Sequence, residues 1–381
     1  MNAPNAASQT ATAGSPAAAH ALAPSARAGD SAATAWAGDA TSVVEFLRPL
    51  RSLLDEPGVL EVCVNQPGSA MVEDGTGWRR CELPAMSLER CLSLAVAVAT
   101  YTDQVISQEQ PLLAATLPSG ERIQFVIPPA VTRGTVSITM RCPSTLLRPL
   151  DDLALDGLFD RLGSGRGQDG PEPFERDLQA LLRAGRVPEF LRLAVRQRQT
   201  IVVSGRTGSG KTTFMKALIE EVPHLERLIT IEDTAELPIP DHPNAVHLFY
   251  SKGSQGVARV TASSLLEACL RMRPDRILLA ELRGEECFHF VRLAASGHPG
   301  SLTSVHAGSC SLAIEQMALM IRASGGGGGM TMDEIRRLLH LVVDIVVQFD
   351  RDERGRFVSD IHYQPRSQRT ALACTHREAS P

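Results

Sequence analysis

Between Ile201 and Ile219 the sequence sets a β-branched apolar run, a glycine loop and an apolar-periodic segment in that order. The loop is Gly205, Arg206, Thr207, Gly208, Ser209, Gly210, Lys211, Thr212, with Thr213 directly behind it. A strand, a tight turn and a helix form the context in which G-x-x-x-x-G-K-[ST] spacing carries chemistry. The glycines let the backbone curl so that successive N–H groups face the oxygens of a polyphosphate, and the positive end of the following helix adds to the attraction. Lys211 then reaches the β- and γ-phosphates, and Thr212 supplies a hydroxyl to Mg²⁺. The segment reads as a phosphate-binding loop for a nucleoside triphosphate with Mg²⁺. A glycine-rich turn without a ligand is the bland alternative, and the flanking strand and helix argue against it.

The rest of the chain must build a fold around this loop. At 381 residues, 43% of them hydrophobic, it is long enough for two cores. A net charge of −5 gives no cationic field over the whole molecule, which disfavours a protein that works by clamping nucleic acid backbone. Eight cysteines are scattered without CxxC or Cys/His spacing, so reduced thiols and a cytoplasmic protein are expected. No apolar run approaches the ~20 residues that span a bilayer, and membrane contact is expected to be peripheral.

Residues 1–40, rich in Ala, Ser, Pro and Thr, read as a disordered tail. Residues 41–141 read as a small α+β domain with helices at 43–54 and 88–99 and strands at 60–65, 114–117, 122–127 and 135–140. Residues 142–175, with the Gly163 to Pro173 run, read as a linker. Residues 176–365 alternate strand and helix, which implies βαβ units and a mostly parallel sheet, a RecA-like core in outline. Gly325 to Gly329 reads as a surface linker, and residues 366–381 as a tail.

Three clusters fall at the expected carboxyl ends of strands, where open α/β sheets bind ligands. They are Glu232, Asp233 and Glu236; Glu281, at the end of an apolar strand; and Gly297 to Ala307, with His298 and His306. Carboxylates there can hold Mg²⁺ or activate the attacking water, and a histidine can sense a γ-phosphate. Glu232 or Asp233 can equally cap the next helix, and His298 beside Pro299 can be a turn residue.

With these residues in place the chain resembles the secretion ATPase superfamily. The resemblance rests on the phosphate loop, EDTAEL at Glu232 to Leu237, LRMRPDRILLAELRG at Leu270 to Gly284 and GHPGSLTSVHAGS at Gly297 to Ser309. LPSGERIQFVIPP at Leu117 to Pro129 and GTVSITMRCPS at Gly134 to Ser144 extend it into the first domain. Within the superfamily the chain is most similar to the ring-forming cytoplasmic ATPases of type IV secretion and conjugal DNA transfer. The resemblance implies a homohexamer of two stacked rings with nucleotide between the domains. It implies arginines reaching that nucleotide from the amino-terminal side, at Arg122 and Arg141 with Arg133 less central, and Glu281 as the acidic strand-end residue. Ala280 stands where many such enzymes carry an aspartate, so magnesium is expected to rely on Thr212, Glu236 and water. The expected activity is ATP hydrolysis that drives substrate translocation or pilus assembly. The expected partners are inner-membrane components of the machine and, indirectly, a transported protein or DNA. A type II secretion or pilus motor, for which the four-cysteine zinc element is missing, and a RecA-like nucleic acid motor are the competing readings; a non-hydrolysing switch is disfavoured by Glu281.

Overall fold

The computed structural model describes residues 40–143, 148–160, 162, 172–251 and 256–369. The expected amino-terminal tail, the glycine run from Gly163 and the last residues lie outside that set.

The first region begins with α1 (Thr41–Leu54), whose Val43, Leu47, Leu50 and Leu54 recur at helical spacing and are buried. It pairs with α2 (Leu88–Tyr101), which starts where Ser87 accepts a hydrogen bond from the Arg90 N–H. Both helices share a core with six strands: β1 (Glu61–Val64), β2 (Ser69–Glu73), β3 (Trp78–Glu82), β4 (Leu112–Thr116), β5 (Arg122–Val126) and β6 (Ser137–Arg141). The sheet is antiparallel throughout, in the order β3-β2-β1-β6-β5-β4. β2 and β3 are additions to the sequence reading. β3, Trp-Arg-Arg-Cys-Glu, shows no apolar alternation because both its faces are partly exposed.

Two short helices, α3 (Leu150–Leu155) and α4 (Pro173–Arg183), lead to α5 (Val187–Arg196) and the second sheet. The strands are β7 (Ile201–Gly205), β8 (Leu228–Glu232), β9 (Ala245–Phe249), β10 (Arg276–Leu279), β11 (Leu302–Val305), β12 (Ile345–Asp352) and β13 (Gly355–Tyr363). Their order is β13-β12-β7-β11-β10-β8-β9, parallel except for β13. Along each inner strand, side chains alternate between two cores. Val202, Ile229, Ile277 and Val346 face α7 (Ala262–Cys269), α8 (Glu286–Ala295), α9 (Cys310–Ala323) and α10 (Met332–Val342). Ile201, Val203, Leu278 and Val347 face α4, α5 and α6 (Lys211–Ile219). Burial on both faces is why most of these strands read as largely apolar runs. This is the expected α/β, RecA-like architecture.

Three segments differ from the sequence reading. β13 is an exposed edge strand and carries little apolar signal. The Gly325 to Gly329 run is a packed turn against α8: a Cβ at Gly326 would lie 2.8 Å from the Phe288 ring. Arg366 to Arg369, assigned to the tail, are anchored on buried Asp344, with Arg366 Nη2 at 2.7 Å and Arg369 Nη2 at 2.9 Å from its carboxylate. Among the described residues no helix is long and apolar enough to cross a membrane, and five of the seven described cysteines, all of them free, are buried.

Candidate nucleotide site

β7 ends at Gly205 and α6 starts at Lys211, so the glycine loop sits at the carboxyl edge of the parallel sheet. The loop tolerates no side chain at its entry. A Cβ at Gly205 would lie 2.7 Å from the Phe349 carbonyl oxygen and 2.8 Å from Ser209 Oγ. Gly210, with φ of 101°, turns the chain into α6 in a conformation that favours glycine. The loop borders a cleft of about 290 Å³ lined by residues 207–213, Asp233, Glu236, Ala280, Glu281, Arg283, Ser304, His306 and Arg356.

Lys211 is buried, and its ammonium donates to the carbonyls of Gly205 (2.8 Å) and Arg206 (3.2 Å) and lies 3.3 Å from His306 Nδ1. Burial pushes its pKa down, opposed by the nearby Glu281 carboxylate. The other nitrogen of His306, Nε2, lies 2.7 Å from Glu281 Oε1. Burial holds the Glu281 carboxyl above the ordinary glutamate range, against the pull of His306 and Lys211. Arg283 pairs with the second Glu281 oxygen and lies 3.4 Å from Asp233. The result is a continuous row, Lys211–His306–Glu281–Arg283–Asp233, around the mouth of the loop.

The acidic turn after β8 divides its labour. Glu236 Oε2 accepts from Thr212 Oγ1 at 3.3 Å, so one carboxylate and one hydroxyl meet where the loop enters α6. Glu232, expected among the residues doing chemistry, does not line the cleft. Its Oε2 accepts the N–H groups of Glu236 (2.7 Å) and Leu237 (2.8 Å), and its Oε1 accepts from Thr230 (2.7 Å). Although burial raises its pKa, these bonds and that from His247 outweigh it and hold the carboxyl below the usual range. Glu232 therefore shapes the turn that carries Glu236. His298 sits at the opposite edge of the sheet, before β11, bonded to the Pro274 carbonyl.

Arg122 and Arg141 are register partners on β5 and β6, exposed and side by side. Arg141 lies 3.8 Å from Glu61. Neither they nor Arg133 line the phosphate cleft of their own chain. The sequence reading missed Arg356, which stands on β13 with its Cδ 3.3 Å from where a Cβ of Gly210 would lie. It also missed the pairing of Arg283 with Glu281, which an i, i+2 spacing at a strand end does not announce.

Among the described residues no group of three or more His, Cys, Asp or Glu could hold a metal. Thr212 and Glu236 still suit Mg²⁺, which is commonly held by few protein oxygens together with substrate phosphates and water.

Residues 171–380 match the model of the family described as type II/IV secretion system protein. The type IV secretion system protein VirB11 of Brucella suis is 49% identical over 344 residues, covering 89% of this chain and 94% of that one. The type IV secretion system protein PtlH homolog of Bordetella bronchiseptica is 43% identical over 333 residues, 86% of this chain and 97% of the relative. The crystal structure of the VirB11 ATPase from the Brucella suis type IV secretion system in complex with sulphate superposes with a TM-score of 0.82 and 48% identity, over 88% of this chain and 98% of the other.

Proposed function

The chain belongs to the family of type II/IV secretion system proteins, its type IV ATPases in particular, and we propose that it hydrolyses ATP to drive a type IV secretion machine through the residues of the cleft described above. The observation that carries the assignment is the row from Lys211 through His306 to Glu281, set beside Thr212 and Glu236 in one cleft.

In this reading the loop N–H groups hold the α- and β-phosphates, and Lys211 leaves its two carbonyl partners for the γ-phosphate oxygens. Bound Mg²⁺ would neutralise charge on the β- and γ-phosphates, with Thr212 and Glu236 as its protein ligands. Glu281 takes the proton of the attacking water, a task suited to a carboxylate whose pKa burial has raised. His306 bridges Lys211 and Glu281, so it reports the arrival of the γ-phosphate at Lys211 to the base. Glu232 acts by holding Glu236 in place.

A cation is still needed for the charge that develops in transfer, and Arg122 and Arg141 are the residues we assign to it. Since they lie outside their own chain's cleft, we place them over a neighbouring copy's nucleotide in a homohexameric ring. The ring would work against inner-membrane components of the machine, with peripheral membrane contact, and would move protein or DNA indirectly. Mixing a Lys211→Ala chain with an Arg122→Ala chain tests this arrangement. Partial recovery of ATPase activity is expected, because some interfaces pair an intact loop with an intact arginine; no recovery would place the arginines on their own chain's nucleotide or out of the reaction.

A further inference from the structure

β12 is longer than β7, the strand it pairs with in parallel. Ile345 to Phe349 match Ile201 to Gly205 in parallel register, and Asp350 to Asp352 continue past the carboxyl edge of the sheet, where β7 has already turned into the phosphate loop. The chain reverses at Arg354 and Gly355, whose N–H groups donate to Asp352 Oδ1 at 2.8 and 3.1 Å, and β13 returns with Arg351 opposite Arg356. A hairpin thus overhangs the loop, and Arg356 is the side chain it lays across Gly210.

Two arginines line the cleft. Arg283 is engaged with Glu281 and Asp233, whereas Arg356 makes no ion pair with a carboxylate among the described residues. An exposed arginine next to Arg351, and close to a loop that already carries Arg206 and Lys211, adds like charge to an anion site. That arrangement relaxes when a polyanion arrives. Gly210 belongs to the part of such a loop that cradles the α- and β-phosphates. We propose that Arg356 is a phosphate-binding residue supplied by the β12–β13 hairpin of the same chain, and that it clamps the α,β-diphosphate of the nucleotide. It would therefore hold ATP and ADP alike, a task separate from the γ-phosphate chemistry of Glu281 and His306. The inference rests on the loop being the nucleotide site.

The test is titration of the full-length protein with ATP, ADP and inorganic tripolyphosphate. The proteins compared are wild type, Arg356→Ala, Arg356→Lys and, as the control for the loop itself, Lys211→Ala. Loss of a charge-assisted contact should weaken all three ligands in Arg356→Ala by about ten- to a hundredfold. The ATP-to-ADP preference should stay unchanged, KM for ATP should rise and kcat should hold near wild type. Arg356→Lys should recover part of the affinity, because it keeps the charge and loses the planar fork. Unchanged ADP affinity in Arg356→Ala overturns the proposal. So does weaker ATP binding with unaltered tripolyphosphate binding, which would put the guanidinium on the base. If Lys211→Ala also leaves ATP binding intact, it is the loop reading that fails.

Discussion

Replacing Glu281 by Gln keeps the size of the side chain and removes its ability to take a proton, so it separates chemistry from binding. The carboxylate lies 2.7 Å from His306, and burial has raised its pKa. A positioned general base contributes about 10²–10⁴ in rate, equivalent to ~3–5 kcal/mol at 1.36 kcal/mol per decade. The expected kcat falls by that factor. Affinity for ATP should hold or improve, because the γ-phosphate no longer faces a negative neighbour. The pH profile supplies the second readout. Glu281 works as the ionised form and its pKa is raised, so wild-type kcat should decline with falling pH earlier than an ordinary glutamate would allow. Glu281→Gln should lose that acid limb. Single-turnover hydrolysis across pH, with ATP binding measured in parallel, decides the matter. Wild-type turnover in the variant, or an affinity loss matching Lys211→Ala, refutes the assignment.

Gly205→Ala should abolish ATP binding and lower the thermal midpoint, since its Cβ would meet the Phe349 carbonyl oxygen at 2.7 Å; normal nucleotide titration would refute the steric argument. Asp344→Ala removes the carboxylate that buried Arg369 and Arg366 both pair with, a loss of about 3–5 kcal/mol in denaturant unfolding. A change under 1 kcal/mol would show that water replaces the pair. Glu61 is buried and its pKa is pushed up to about 7, above the unfolded value of roughly 4.3. The fold therefore loses stability as pH rises through that window, and Glu61→Gln should match wild type at pH 4 and exceed it at pH 8. Equal stability at both pH values would mean that Glu61 ionises in the fold as freely as in the unfolded chain.

The sheet around the phosphate loop was legible because its inner strands are buried on both faces, so β7, β8 and β10 announce themselves as mostly apolar runs and β11 as a short alternation, Leu-Thr-Ser-Val. The loop, Glu236, Glu281 and His306 were legible for the same reason: they follow the ends of those runs. Edge and surface strands were not. β3 and β13 face solvent, so nothing in their residues favours a strand over a loop, and Arg356 was hidden along with β13. The supporting role of Glu232 was open in the sequence, where a cap and a catalytic carboxylate look alike. Only the backbone N–H groups of Glu236 and Leu237 converging on one oxygen distinguish them.

β8 reaches from the nucleotide cleft to the amino-terminal sheet. At its carboxyl end β8 carries Glu232, which holds the turn of Glu236 against Thr212 of the phosphate loop. Immediately before its first residue stands Arg227, wholly buried, donating to Asn65 Oδ1 at 2.8 Å, to Asn244 Oδ1 at 2.6 Å and to Thr139 Oγ1 at 3.2 Å. Asn65 follows β1 and Thr139 lies on β6, so the guanidinium is bonded into the amino-terminal sheet. Asp275, which accepts the Arg227 N–H at 2.8 Å, also accepts from Trp78 of β3 at 3.2 Å. The four residues between these ends, Leu228 to Ile231, are buried and paired on both sides, to β10 and β9. A strand of that kind, about 16 Å long at roughly 3.3 Å per residue, resists both stretching and bending. A shift of the acidic turn on phosphate binding would thus reach Arg227 as a displacement of the whole strand. There it would act on hydrogen bonds to the domain that carries Arg122 and Arg141. Contiguity alone is not coupling, but β8 supplies one continuous route for it, from the two carboxylate-bound N–H groups at one end to the buried guanidinium at the other.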